Sequence, residues 1–96
     1  MYLIVSQYVV EPAKVDPHRK SHSEWVAKYI GDGTFIAAGP RESKTGGVII
    51  AKGIDQTTLN TILAEDSFVV QKLVEIEIVG FDPVFAAEQF LALKEQ

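Results

Sequence analysis

Two residues of this chain can move a proton and stand where a core does not ask for them: His22 and Asp66. The stretch from Pro17 to Ile30 reads as a helix. At roughly 100° per residue, His18, His22, Trp25, Val26, Tyr29 and Ile30 share one side of it. Lys20, Glu24 and Lys28 fall on the other side, at the spacing of i,i+4 charge pairs. His22 therefore occupies the middle of the core-facing stripe, where leucine would be the simpler choice. In a second helical stretch Leu59, Ile62 and Leu63 form the stripe, and one further step along it lands on Asp66. A carboxylate there is disfavoured twice, by its apolar surroundings and by the negative end of the helix dipole, so it calls for a cationic or hydrogen-bonding partner. An imidazole oriented by a carboxylate is a general base with a fixed tautomer. The plainer alternatives are a core histidine with one satisfied nitrogen and an aspartate that merely caps a short helical turn over Ser67-Phe68-Val69-Val70.

Other groups offer less. His18 and His22 have the i,i+4 spacing of a metal pair. No HExxH pattern accompanies them and further ligands would have to be carboxylates, so neither a metal nor another cofactor is expected. Arg19 lies within a turn of His22 and suits an anionic substrate. Arg41 and Lys44 belong to a polar loop, residues 41–47, able to close over a site. Trp25 is core or pocket wall. Gly46-Gly47 lacks the strand and helix that frame a phosphate loop, and Ser21, Ser23 and Ser43 lack a nucleophile-elbow setting.

The elements that must position these groups follow from pattern. Tyr2–Val10 is a strand by its β-branched and aromatic content. Asp16-Pro17 opens the first helix as cap and first position, Val15 is placed to staple it, and Gly31-Asp32-Gly33 ends it. A short strand over 34–38 is broken by Gly39-Pro40, and Val48–Lys52 returns beside it as the second half of a hairpin. Asp55 caps the second helix, residues 56–65. Leu73–Val79 alternates apolar residues with Glu75 and Glu77, the mark of a half-buried strand. Val84–Gln96 reads as a final helix with more apolar surface than an isolated helix needs.

The order β-α-β-β-α-β plus a C-terminal helix predicts an α+β, ferredoxin-like domain spanning 1–96, with both helices on one face of an antiparallel sheet. The other face is left open, and a second copy of the chain is the simplest cover, so a homodimer with face-to-face sheets is expected. At 96 residues, 47% hydrophobic and 23% charged, the composition is that of one small folded domain. A net charge of −4 with no basic stripe argues against nucleic acid and against a DNA-binding regulator. Without cysteine there are no disulfides and no thiolate metal sites. No targeting segment or membrane-length apolar run is visible, so a cytoplasmic protein with no membrane partner is expected.

Arg19-x-x-His22, Ala38-Gly39-Pro40, Gly46-Gly47 and Ala64-x-Asp66-x-Phe68 together resemble the YCII-related proteins in order and spacing. The resemblance implies a dimeric α+β barrel with a histidine–aspartate pair at its active site, here His22 and Asp66, and with Arg19 as the arginine ahead of the histidine. It also implies a small-molecule ligand. One relative is a dehydrochlorinase of chlorinated-aromatic breakdown that uses the pair for proton transfer. On the resemblance and the residues together, Arg19, Trp25, Gly39, Pro40, Arg41 and Phe68 are the substrate-contacting candidates. The chain departs from the family's Asp-Pro-Phe, carrying Asp66-Ser67-Phe68 instead, which removes a rigidifying proline beside the aspartate. The expected activity is elimination or isomerisation of a hydroxylated ring or dicarbonyl compound, with a non-catalytic ligand-binding or assembly module as the alternative.

Overall fold

Strand β1 (Tyr2–Tyr8) lies inside a four-stranded sheet, between β3 (Gly47–Ala51) and β4 (Val74–Gly80), with β2 (Phe35–Pro40) at the edge beyond β3. The computed structural model describes residues 1–95. All three pairings are antiparallel and the order is β2-β3-β1-β4, which is the expected ferredoxin-like arrangement. Ile4 stands opposite Ile49 on one neighbour and Ile78 on the other. That row packs against Trp25, Tyr29, Phe35, Leu59, Ile62 and Leu63 to make the main core. Burying each such side chain contributes about 1.5–3 kcal/mol. Strand alternation turns Leu3, Val5, Val48 and Ile50 to the opposite face, where they stay only partly covered. Among the described residues no helix is long and apolar enough to cross a membrane.

The approach to the long helix differs from the expected one. A short turn of helix, α1 (Pro12–Val15), runs into a 3-10 turn over Asp16–His18, and α2 (Arg19–Gly31) starts after it. Asp16 is not the cap: its Oδ1 accepts from Arg19 Nε at 2.8 Å, and His18 occupies the cap position without a side-chain bond. The cause is tertiary. Val15 is fully buried with Phe68 and Leu73 in a second cluster, which draws the chain into an extra turn before α2 can begin. The far end is as expected, with Gly33 at φ +82 closing the helix through its bond to Ile30 O at 3.1 Å.

β2 passes through Gly39-Pro40 instead of breaking there. Pro40 faces Gly47 at the end of an edge strand, where a missing N–H costs no ladder bond. The polar loop that follows is tied down: Arg41 N reaches Gly46 O at 2.9 Å, and Tyr8 N reaches Thr45 O at 2.8 Å. Gly46 is buried against the Ser6 carbonyl so closely that any side chain there would collide with it.

Helix α3 (Gln56–Leu63) is capped by Asp55, which accepts from Thr58 N at 2.6 Å. It stops short of Asp66, which instead caps a second short helix, α4 (Ser67–Val70). The expected C-terminal α-helix is a 3-10 segment over Glu88–Glu95, and Gln96 lies outside the described residues. Among the described residues the apolar side chains of this region stay largely open: Phe85 is 94% exposed and Phe90 51%. Helical stability comes mainly from packing.

Candidate functional site

His22 and Asp66 meet. Nδ1 of the imidazole lies 2.7 Å from Asp66 Oδ1, and the aspartate side chain is 7% exposed. The same oxygen accepts from Phe68 N at 3.1 Å. Both sequence readings of Asp66 therefore hold at once, as partner of the histidine and as helix cap. The helix-dipole objection dissolves, because Asp66 sits at the start of α4, where the free N–H groups favour an anion.

With Nδ1 engaged by the carboxylate, Nε2 is the ring nitrogen left for a ligand. The ring lies flat on Phe68, centroids 3.9 Å apart and planes within 3°, and tilts against Trp25 at 5.8 Å. Phe68 is in turn held by the end of α4. Lys72 adopts a positive φ of 57, and Leu73 N turns back to Phe68 O at 2.9 Å. Trp25 is fixed by its indole N–H, which donates to Ile62 O at 3.1 Å. The imidazole thus has one rotamer supported on two sides and one nitrogen spoken for.

A cavity of about 470 Å³ opens between α2 and the sheet. His22, Asp66, Arg19, Trp25 and Phe68 line it, and Gly39 and Pro40 contribute from β2. Arg41 stays outside the lining; its Nη1 donates to Ser6 O at 3.4 Å and braces the loop. Arg19 Nε is held by Asp16, while Nη1 reaches the Tyr8 hydroxyl at 3.4 Å, with the guanidinium 5.7 Å from the Tyr8 ring centroid. The bonds to Asp16 and then to Tyr8 push its pKa further up, securing a permanent cation at the cavity wall.

Ser6 and Tyr8 also line the cavity and were not singled out from the sequence. The signal was there: with Ile4 inward, strand alternation turns Ser6 and Tyr8 to the same side. Ser6 Oγ accepts from Gly47 N at 2.9 Å, so its role is to close the β3 end. From the sequence, Ser67 is a turn residue beside a candidate cap and the departure from the family's proline, with no side-chain role. Its Oγ donates to His18 O at 3.2 Å and receives a bond from Ser21 Oγ at 2.8 Å. Among the described residues no three His, Asp or Glu side chains gather as a metal cluster.

The family model for the YCII-related domain matches residues 1–82. The chain belongs to the YCII-related family. A solved structure similar to this YCII-related chain is the 5-chloro-2-hydroxyhydroquinone dehydrochlorinase TftG from Burkholderia phenoliruptrix AC1100, in complex with 2,5-dihydroxybenzoquinone. The two superpose with a TM-score of 0.68 at 12% identity, over 84% of this chain and 93% of that one, a likeness of fold. No curated protein matches the chain. The matched span carries all the cavity residues named above and leaves out the exposed C-terminal 3-10 segment.

Proposed function

We propose that this YCII-related chain is a small-molecule enzyme working by general acid–base catalysis without a cofactor. The observation that carries the reading is the 2.7 Å bond between His22 Nδ1 and Asp66 Oδ1 on the wall of a 470 Å³ cavity. His22 Nε2 is the base. Asp66 orients the ring and stabilises the imidazolium, the part a buried aspartate takes beside a catalytic histidine. Arg19 holds an anionic or enolate oxygen, and Trp25, Phe68, Gly39 and Pro40 form walls for a flat ring. Arg41 stays outside the step.

The dehydrochlorinase of similar fold supports a hydroxylated ring as substrate class. The ring first ketonises, one hydroxyl proton moving to the carbon that bears the leaving group. His22 then removes the proton of a second hydroxyl, the O–H electron pair becomes a carbonyl, and the displaced ring electrons form a double bond to that carbon as the anion leaves. The imidazolium then returns its proton to solvent. Chlorinated hydroxyhydroquinones offered to the wild type should release chloride, and His22→Gln should slow release about 10²–10⁴-fold. Equal release by His22→Gln and wild type would sink the assignment.

A second reading has its own observation: Asp66 Oδ1 also caps α4, so the pair can serve the fold of a non-catalytic binding module. Under that reading Asp66→Asn costs stability and leaves no turnover to lose.

The half-covered sheet face bearing Leu3, Val5, Val48 and Ile50 supports a homodimer closed through that face. Light scattering at micromolar concentration should give twice the chain mass; a monomer would remove the dimer from the reading.

A further inference from the structure

Asp66 is the middle of three consecutive residues that each reach α2. Glu65 Oε1 accepts from the Tyr29 hydroxyl at 2.6 Å, Asp66 Oδ1 meets His22, and Ser67 Oγ donates to His18 O. The two serine hydroxyls converge on one carbonyl. Ser67 Oγ donates to His18 O at 3.2 Å, and the Ser21 hydroxyl, whose single proton serves either acceptor, lies 2.8 Å from Ser67 Oγ and 3.1 Å from the same carbonyl. His18 caps α2, and its carbonyl heads the helical turn that carries His22.

A single bond between a turn and a helix leaves the turn free to pivot about that bond. Here neighbouring residues of one turn hold points a helical turn apart on α2, which fixes both the distance of the carboxylate from the ring and its rotation. Ser67 is half-buried, so water competes poorly for its hydroxyl, whereas Ser21 is exposed. We propose that Ser67, seconded by Ser21, is a positioning residue of the site: a hydroxyl clasp that keeps the Asp66 carboxylate on His22 Nδ1.

The proposal rests on the pairing of His22 with Asp66 as the working part of the site, but its test reads the ring itself and not turnover. In ¹⁵N-labelled protein, the tautomer of His22 follows from its two ring-nitrogen shifts, with His18 as internal reference. Wild type should show the Nδ1–H form with a downfield, slowly exchanging ring proton. Ser67→Ala should lose the slow exchange and move the tautomer population towards Nε2–H, the direction that Asp66→Asn produces, by a smaller amount. Ser21→Ala should follow the same direction with a smaller change again. Ser67→Thr, which keeps the hydroxyl, should restore the wild-type signals.

A Ser67→Ala protein with a lower unfolding temperature but an unchanged His22 tautomer and exchange rate would make the serine merely structural and overturn the clasp. If Ser67→Ala does not fold, Ser21→Ala carries the test alone, and an unchanged ring signal there overturns the proposal. The readouts separate the two claims. Chloride release that survives His22→Gln defeats the catalytic reading and leaves the clasp standing, whereas an unmoved tautomer does the reverse.

Discussion

The inward stripe of α2 changes character within one turn. At its N-terminal half, His22 is held by a carboxylate, the stacked Phe68 ring and the tilted Trp25 ring, with 27% of its side chain still reaching solvent. At its C-terminal half, Trp25 and Tyr29 are both 7% exposed and pack edge-on or tilted against Phe35, at 5.2 and 5.3 Å between centroids. The aromatic half is held by area, spread over many contacts of which no single one decides. The histidine half is held by a few directional bonds, each decisive. One helix thus supplies a rigid platform and a chemically available group, and the platform needs no polar network of its own beyond the indole and phenol bonds to Ile62 and Glu65.

The largest effect should come from the platform. Trp25→Ala removes a buried indole and orphans its bond to Ile62 O, and urea unfolding should show a loss of about 3–5 kcal/mol. A loss under 1 kcal/mol, by order of magnitude, would mean that area does not hold this half. Next comes Asp66→Ala, which removes a charged hydrogen bond and a helix cap together. Denaturant unfolding should register a loss of about 2–3 kcal/mol, and Asp66→Asn, which keeps an oxygen for Phe68 N, should cost less.

A pH scan sharpens the contrast. Hydrogen bonding to Glu65, aided by burial, raises the Tyr29 pKa above its ordinary 10.0. The folded state therefore favours the neutral phenol. That contribution is fully present below pH 10.0 and is lost as pH rises through the raised folded value. Wild type should lose stability across that alkaline window, and Tyr29→Phe should lack this slope, with a difference of no more than about 1 kcal/mol. Identical slopes for the two proteins would remove the phenol from the account. The smallest effect is expected at Phe85, 94% exposed, where Phe85→Ser should leave the stability of the single chain within about 0.5 kcal/mol. A larger loss would show that the C-terminal segment is packed against something.

The sequence was most legible where period and chemistry agree. Strand alternation and turn residues foretold the sheet, and the misplaced His22 and Asp66 foretold a pairing that the fold makes at 2.7 Å. What escaped it depends on distant contacts. Asp16 looks like a cap, but the burial of Val15 against Phe68 and Leu73 moves the helix start to Arg19. The stripe through Leu59, Ile62 and Leu63 pointed to Asp66 for a partly wrong reason, since the helix ends at Leu63 and the aspartate opens the next one. Pro40 reads as a breaker until β2 is known to be an edge strand. The helix expected over 84–96 has a helical pattern, but among the described residues Phe85, Phe90 and Leu91 stay about half to fully exposed, so little packing supports it. Ser67 was invisible because a hydroxyl's value lies in its partners, His18 O and Ser21, which are 49 and 46 residues away.

The distance along the chain between the two halves of the site has a kinetic meaning. His22 and Asp66 are 44 residues apart, and between them lie β2, β3 and α3. Closing a loop of that length costs entropy that neighbouring contacts must first offset, so α2 and the β2–β3 hairpin can assemble before the histidine has any carboxylate to meet. During refolding, the Nδ1–H signal of His22 should therefore rise after the signals of α2 and of the hairpin. A chain stalled midway would hold a formed helix and an ordinary, solvent-facing imidazole.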